Sequence, residues 1–468
     1  MVKKLFFVGV IGLSSAVGAT TLEDFLEQVK KQNKSYQGAV TQMEGASLQS
    51  READLFFTPT FFFNAQKGHD GKLFSPPFLV YDFVRNESYS TGLKQSFSFG
   101  LETTLKYEIL KTDYKGVDFG NVSSTYWDAA PKIELSLPLW GNGFGRTARA
   151  RKELSLQQRR SEHYSGSSQA KRSLVEAEIS YWRLAAAQES LTVQEQALKA
   201  AERILEYVTE KRRKNLGEEA DILQAKALVD AYRLSLQQAG IEERAARRQY
   251  NLFLNQDAND EVGTLSSLDY KNLETTEIPK SRPGDRPDVK ATEAQLALAK
   301  ASNAVAYEAN RPTLDLYGGY AMNGRGDQTQ DAIRNAGGTR RDAAYVGVRF
   351  QVPLNVSAIS DAKDGAFKSQ RAAELNYQYA FYAQEQEWID LSSKFKDAQD
   401  SLKLARIMEG AQKAKLENER VRLRQGRTTT YQVLLFEQDF ISAQVSRIRA
   451  ATQIISLKSQ TQLYSSND

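Results

Sequence analysis

A heptad repeat settles the largest part of this chain. Ala177, Leu184, Leu191, Leu198 and Leu205 recur at every seventh position, and Ala187, Ala201 and Val208 share a second position of the same frame. A period of seven sustained over this length marks a coiled coil, and because seven residues fall slightly short of two helical turns the helices supercoil left-handedly. The helical stretch runs from about Thr147 to Asn255 and is interrupted between Lys214 and Asp221 (KNLGEEAD), so it reads as one long helix folded back on itself. An arm of about 65 residues at 1.5 Å each reaches roughly 100 Å. That span suits a rod, not the core of a globule.

Composition removes several function classes. Lys and Arg (62) nearly balance Asp and Glu (58), for a net charge of +4, which is too weak a bias for a nucleic-acid partner. There is no cysteine, and the two histidines, His69 and His163, are far apart, so neither disulfides nor a thiolate or histidine-rich metal centre is expected. No cofactor is implied. At the N-terminus Lys3 and Lys4 precede the apolar run from Leu5 to Val17, which ends Val17-Gly18-Ala19. Residues 1–19 therefore read as a secretory signal peptide. No later run reaches the roughly 18 apolar residues of a transmembrane helix, so a membrane crossing must be made by strands.

Residues 21–57 are expected to form a first helix with Thr21 as N-cap and Glu23 and Asp24 in the first turn, ending before Pro59. Beyond it the period drops to two. Phe97, Phe99, Leu101, Thr103, Leu105, Tyr107 and Ile109 alternate with polar residues over 96–109, and Ile133, Leu135, Leu137 and Leu139 do so over 132–139. Each run has one apolar and one polar face, which suits a soluble sandwich or a barrel between lipid and water. The aromatics Phe61, Phe62, Phe63, Tyr81, Phe83, Tyr89 and Trp127 favour the barrel, as interfacial belts do. Residues 66–94 and 112–130, rich in Gly, Asp, Asn and Ser, read as exposed loops.

After a polar connector over 256–285 the pattern restarts. Arg286-Pro287-Asp288-Val289 opens a helix to about Asn310, a strand follows Pro312, a polar loop covers 321–342, and a strand from Ala344 to Leu354 leads into a second long helix from Ser357 to Gln425. That helix breaks at Gly426-Arg427-Thr428-Thr429 and returns from Tyr431 to Tyr464. Pro59 pairs with Pro312, Pro138-Leu139 with Pro353-Leu354, and Gly217 with Gly426. The reading is an internal duplication, with 20–255 as the first structural repeat and 286–468 as the second. Residues 92–111 have no counterpart in the second half and are expected to form an additional hairpin or extended strands.

Two strands per half give about four per chain, or six if the extra segment joins them, whereas a barrel needs about eight and no open edge. One chain cannot close it. Several copies must each supply a sector, and three four-stranded sectors would make twelve strands, continued by the helices as a tube with polar faces inward.

With its signal peptide, its Arg286-Pro287-Asp288-Val289, its Pro138-Leu139-Trp140 and Pro353-Leu354 passages, and its Gly426-Arg427-Thr428-Thr429-Thr430-Tyr431-Gln432-Val433-Leu434-Leu435-Phe436-Glu437 stretch, the chain resembles an outer membrane efflux protein of the TolC family. The resemblance covers essentially the whole mature chain. It implies a membrane α+β fold: a β-strand sector of a trimeric transmembrane barrel set in outer membrane lipid, continued by coiled-coil helical hairpins as an α-helical periplasmic tunnel. It also implies a homotrimer that docks, through a periplasmic adaptor (membrane fusion) protein, onto an inner membrane transporter and exports drugs, metals or proteins passively. The breaks at Gly217 and Gly426 then form the periplasmic entrance. Family members often carry an aspartate before a Val-Leu pair there; Asp221-Ile222-Leu223 matches this after a gap two residues shorter, and Gln432 replaces the acid in the second repeat. Arg424 and Arg427 beside one break face Glu218, Glu219 and Asp221 beside the other in composition, and ion pairs between the two sets are expected to hold a closed state. The alternative is a secreted periplasmic coiled-coil adaptor or structural protein without a pore. An enzyme is not expected, because no nucleophile elbow, HExxH or phosphate loop is present.

Overall fold

The computed structural model describes residues 20–72, 81–116, 123–338 and 341–465. The expected signal peptide, 1–19, lies outside these residues. In chain order the elements are α1 (Leu22–Gln32), α2 (Lys34–Gln49), a 3-10 turn (Ser50–Phe57), β1 (Thr60–Asp70), β2 (Phe83–Ser96), β3 (Glu102–Lys115), β4 (Thr125–Trp140), α3 (Arg146–Arg213), α4 (Glu219–Leu254), α5 (Tyr270–Thr275), α6 (Pro287–Ala309), β5 (Thr313–Met322), β6 (Gly324–Gly326), α7 (Thr329–Asn335), β7 (Asp342–Gln351), α8 (Val356–Arg424) and α9 (Thr430–Thr461). The chain divides into a helical unit (20–43, Tyr164–Lys290 and 380–465) and a second unit (Glu44–His163 and Ala291–Tyr379) that carries every strand. Both long helices have the expected extent, α3 with 68 residues and α8 with 69. Among the described residues no helix is long and apolar enough to cross a membrane.

In the second unit the strands form one seven-stranded sheet ordered β1-β2-β3-β4-β5-β7, with β6 extending the partnership along β4. All neighbours are antiparallel. Two expected loops are therefore wrong in part: 66–94 holds the end of β1 and most of β2, and 112–130 holds the end of β3 and the start of β4. The loop expected over 321–342 contains β6 and α7. The strand expected over 96–109 starts later, because Phe97 and Gly100 close a turn (Gly100 N–H to Phe97 O, 2.8 Å) before β3. Residues 92–111 are thus the two arms of the β2–β3 hairpin. The Ser, Asn and Thr content of 66–94 and 112–130 resembles a loop because a strand with one wet face needs few large apolar side chains.

The register sorts the sheet into two faces. Phe61 and Phe63 on β1, Tyr89 and Leu93 on β2, Leu105, Tyr107 and Ile109 on β3, Ile133 and Leu135 on β4, Leu316 and Tyr320 on β5, and Val346 and Val348 on β7 lie on one face. A bulge between Pro138 and Trp140 brings the Trp140 ring onto that face, 6.5 Å from Phe350. Much of this face is bare: Val346 is 80% exposed and Phe61 68%. The opposite face is polar and laced by ion pairs, Lys94–Glu102 at 3.0 Å, Lys106–Glu134 at 2.8 Å and Lys132–Glu108. On β5 and β7 the Tyr345 ring lies over Gly319 and the Tyr317 ring over Gly347; a Cβ would come within 2.7 Å and 2.6 Å of those rings.

In the helical unit Thr21 caps α1 as expected, accepting from the Asp24 N–H at 3.2 Å. The first helix does not run through to 57. Buried Asn33 interrupts it, donating to Phe253 O (2.9 Å) and accepting from the Tyr36 N–H (2.8 Å). Phe25 is fully buried, stacked on Tyr250 at 4.3 Å and near Tyr181 at 5.6 Å, a burial that contributes roughly 1.5–3 kcal/mol. In α3 the heptad positions Ala177, Leu184 and Ala201 have no exposure. The connector is less polar in effect than its composition: Leu265, Leu268 and Leu273 are buried, Leu265 bridges Thr20, and Gln399 holds the end of α5 through Leu273 O (3.1 Å) and Thr276 O (2.6 Å). Arg447 ties three elements, pairing with Glu189 (2.8 Å) and Glu409 (3.2 Å) and lying 4.2 Å from the Tyr270 ring centre.

The Arg286-Pro287-Asp288 motif has a clear mechanical role. Proline starts α6, where its missing N–H costs nothing. Arg286 grips Asp288 with two bonds (2.6 and 3.0 Å) and also reaches Glu387 and Tyr464, while Arg172 adds a third contact to Asp288 at 3.1 Å. Burial opposes the charge on Asp288, but the Arg286 hydrogen bonds and the Arg286 and Arg172 charges outweigh it and hold its carboxyl below the usual range. Asp288→Asn should therefore destabilise the protein at pH 7 by roughly 1.5 kcal/mol, the lower end for a hydrogen bond to a charged group, given its partial exposure. The folded value lies below the unfolded one of about 3.9, so this contribution is complete above about pH 4–5 and disappears as pH falls through the folded value. Thermal unfolding in detergent across a pH series checks it; a gap between variant and wild type that persists at the acid end contradicts the assignment.

Candidate functional site

The two helical tips share one cap geometry. After α3 the Asn215 N–H donates to Arg212 O and the Leu216 N–H to Lys211 O, both at 2.9 Å; after α8 the Gly426 N–H donates to Leu423 O (3.0 Å) and the Arg427 N–H to Arg422 O (2.9 Å). These are the paired bonds of a Schellman ending, and its left-handed residue is Asn215 (φ 56) in one tip and Gly426 (φ 67) in the other. Three residues later the return helices start at N-caps of matching backbone, Glu218 (φ −97, ψ 152) and Thr429 (φ −92, ψ 155). Thr429 Oγ1 accepts from the Gln432 N–H at 3.4 Å, and Glu219 and Asp221 place negative charge at the start of α4, where the helix dipole favours it.

This geometry corrects the pairing of Gly217 with Gly426. Gly426 matches Asn215, a residue tolerated in the left-handed region, and Gly217 matches Thr428. The two-residue difference in gap length disappears, and Asp221 and Gln432 occupy the same third position after their caps. Both are half-buried, whereas Arg424 and Arg427 are exposed. Among the described residues Glu219 pairs with Arg212 of its own tip, at 3.8 Å, and no ion pair joins Arg424 or Arg427 to 218, 219 or 221 within one chain.

A buried charge cluster behind the second tip escaped the sequence reading. Glu437, 3% exposed, takes both of its oxygens to Arg420 Nη2 at 3.0 and 2.7 Å. Glu419, 5% exposed, accepts from Thr428 Oγ1 and from Arg422 at 3.0 Å, and Arg422 also reaches Arg427 O at 3.4 Å. The turn is thus tied to the end of α8. A glutamate on a long helix reads as a solvated residue, so only the Glu419/Arg422 spacing of three was a usable signal. Leu434 of α9 is buried against Val208 and Ala225 of the other hairpin, with Ile222 beside them. Leu223, its positional counterpart three residues after Ala220 on α4, is 60% exposed. Among the described residues no group of three or more His, Asp or Glu could hold a metal ion, and nothing at the tips is arranged as a nucleophile with its base.

The sequence matches no protein-family model. It matches no curated protein either. The fold does have solved counterparts. It is similar to the outer-membrane channel OprN, with 20% identity and a TM-score of 0.66 over 94% of this chain and 89% of that one. It is similar to the MtrE outer membrane channel of Neisseria gonorrhoeae in its open state, with 17% identity and a TM-score of 0.64 over 95% and 88%. The CmeC outer membrane channel of Campylobacter jejuni gives 16% identity and a TM-score of 0.61 over 100% and 95%. The chain therefore shares, over nearly its whole length, the fold of outer-membrane channel subunits.

The cap geometry separates the two tip glycines. Nothing lies within 4 Å of a Cβ on Gly426, so Gly426→Ala meets only the left-handed backbone cost, about 1–2 kcal/mol. Gly217 has no positive φ and a Cβ there would sit 3.4 Å from Arg212 N, so Gly217→Ala should stay within about 0.5 kcal/mol of wild type. Proteolytic nicking of the tips and thermal unfolding of both variants check this ordering; equal effects contradict it.

Proposed function

We propose that this chain is the subunit of an outer membrane channel of the TolC family, the passive exit duct of a tripartite efflux or type I secretion system. The observation that carries this reading is the sheet: apart from the patch at Tyr107, Ile109 and Ala129 that α7 covers, its apolar face is bare, and among the described residues both of its edges are open, which suits a wall between lipid and water completed by further copies. In this reading 20–255 and 286–468 are two structural repeats joined by 256–285, the molecule is a homotrimer in the outer membrane with a periplasmic extension, and a periplasmic adaptor links it to an inner membrane transporter. No covalent chemistry takes place.

The tips support an assembly of copies. Leu434 fills a groove of the first hairpin within one chain, and the equivalent Leu223 lies exposed, ready to fill the second hairpin of a neighbour. The breaks at 214–218 and 425–429 then form the entrance rim, with Gly217, Asp221, Arg424, Gly426, Arg427 and Gln432 on it. Arg424 and Arg427 have no intrachain partner among the tip acids, which leaves Glu218 and Asp221 of an adjacent copy as theirs in the closed state.

Purified protein in planar bilayers should give discrete ion-conducting steps. The double variant Arg424→Ala/Arg427→Ala should open more often, and unchanged conductance and opening frequency would remove the gating role while leaving the duct intact. Leu223→Asp should shift the detergent-solubilised protein from oligomer toward monomer, read as mass in solution. A wild-type chain that is a soluble monomer and never conducts favours the pore-free adaptor instead.

A further inference from the structure

The sheet holds more strands per chain than a twelve-stranded trimer needs. We propose that the barrel is closed by β1 of one copy pairing with β7 of the next, with all six strands of the β1-β2-β3-β4-β5-β7 path in the wall, so that the trimer has eighteen strands. This rests on the reading of the chain as a trimeric outer membrane channel.

Depth is the first argument. The added hairpin sits at the same level as its neighbours. Phe61, Leu93, Leu105 and Ile133 form one row across β1 to β4 on the apolar face, and Phe63, Thr91, Tyr107 and Pro131 form the next. Two rows beyond Phe63 the same face turns polar together on three strands, at Lys67, Glu87 and Lys111, with Lys67 and Glu87 paired at 2.7 Å. A hairpin lying outside the membrane wall would have no reason to share this boundary.

The edges give the second argument. β1 has 11 residues and β7 has 10, each enough to cross a bilayer as a tilted strand. Either edge left in lipid would strand a row of N–H and C=O groups, at several kcal/mol each. Parity then fixes the joint: along a path of six antiparallel strands the first and last run in opposite directions, so repeating the chain around an axis makes β1 meet β7 antiparallel as well. Both edges present the apolar face to the same side, with Phe61 and Phe63 on β1 and Val346 and Val348 on β7. Barrel diameter grows roughly in proportion to strand number, so the pore at the membrane would be about 1.5 times as wide as a twelve-stranded one.

The chain has no cysteine, so an introduced pair reports a single contact. In membranes, Asn64→Cys or Gln66→Cys on β1 is combined with Tyr345→Cys, Gly347→Cys or Arg349→Cys on β7, all on the polar face, and oxidised. At least one pairing should shift the denatured band from one chain to two and three. The same β7 positions with Thr104→Cys or Lys106→Cys on β3 should remain as single chains, and native mass of the unaltered protein should give three copies. Cross-links from β3 to β7, no β1–β7 link in any pairing of a conducting oligomer, or an oligomer of two copies would each overturn the eighteen-stranded barrel. Loss of membrane insertion and conductance in the unaltered protein would instead overturn the channel reading beneath it.

Discussion

A sheet cannot end in lipid, and the proposed assembly follows from that. Every unpaired N–H and C=O at an edge strand exposed to hydrocarbon costs several kcal/mol, so in the proposed outer membrane channel the open β1 and β7 edges must be paired by further copies. The side chains agree with the backbone. An apolar face running from Phe61 to Val348 is stable against lipid, and the opposite face, with Lys106–Glu134 and Lys132–Glu108 in place, is stable against water.

The helical unit solves a different problem, that of holding long arms in register without a globular core. Small residues at heptad positions, such as Ala177 and Ala201, let the arms approach closely. Fixed polar anchors then set the phase. Arg447 joins α3, α5 and α8, Arg286 with Asp288 fixes the start of α6, and Asn33 breaks the first helix where the end of α4 needs its donor. At the tips the same Schellman ending and the same three-residue step to the next N-cap occur twice, although one uses Asn215 and the other Gly426.

How much of this could be read from sequence depended on whether local pattern or distant partners decided each element. The long helices were legible because a period of seven over dozens of residues has no competing explanation. β3 and β4 were legible wherever apolar residues alternate, as Leu105, Tyr107 and Ile109 do. β2 was not: Asn86, Ser88, Ser90 and Gly92 face the polar side and resemble loop residues, and only pairing with β1 and β3 makes that segment a strand. At the tips the breaks are legible in the sequence, but glycine is not a sufficient marker of the turn, because Asn215 supplies the same left-handed backbone at the first one. Glu419 and Glu437 were invisible, since their burial depends on Arg420, Arg422 and Thr428 closing over them.

These features support one proposal: the chain is a sector of a closed, lipid-embedded wall that further copies complete. Electron-microscopy projections of the purified, detergent-solubilised protein test that statement most directly. The proposed channel predicts rings with threefold symmetry and a hollow axis in end view. Single unassociated chains that stay soluble without detergent, or particles with no central opening, would contradict it.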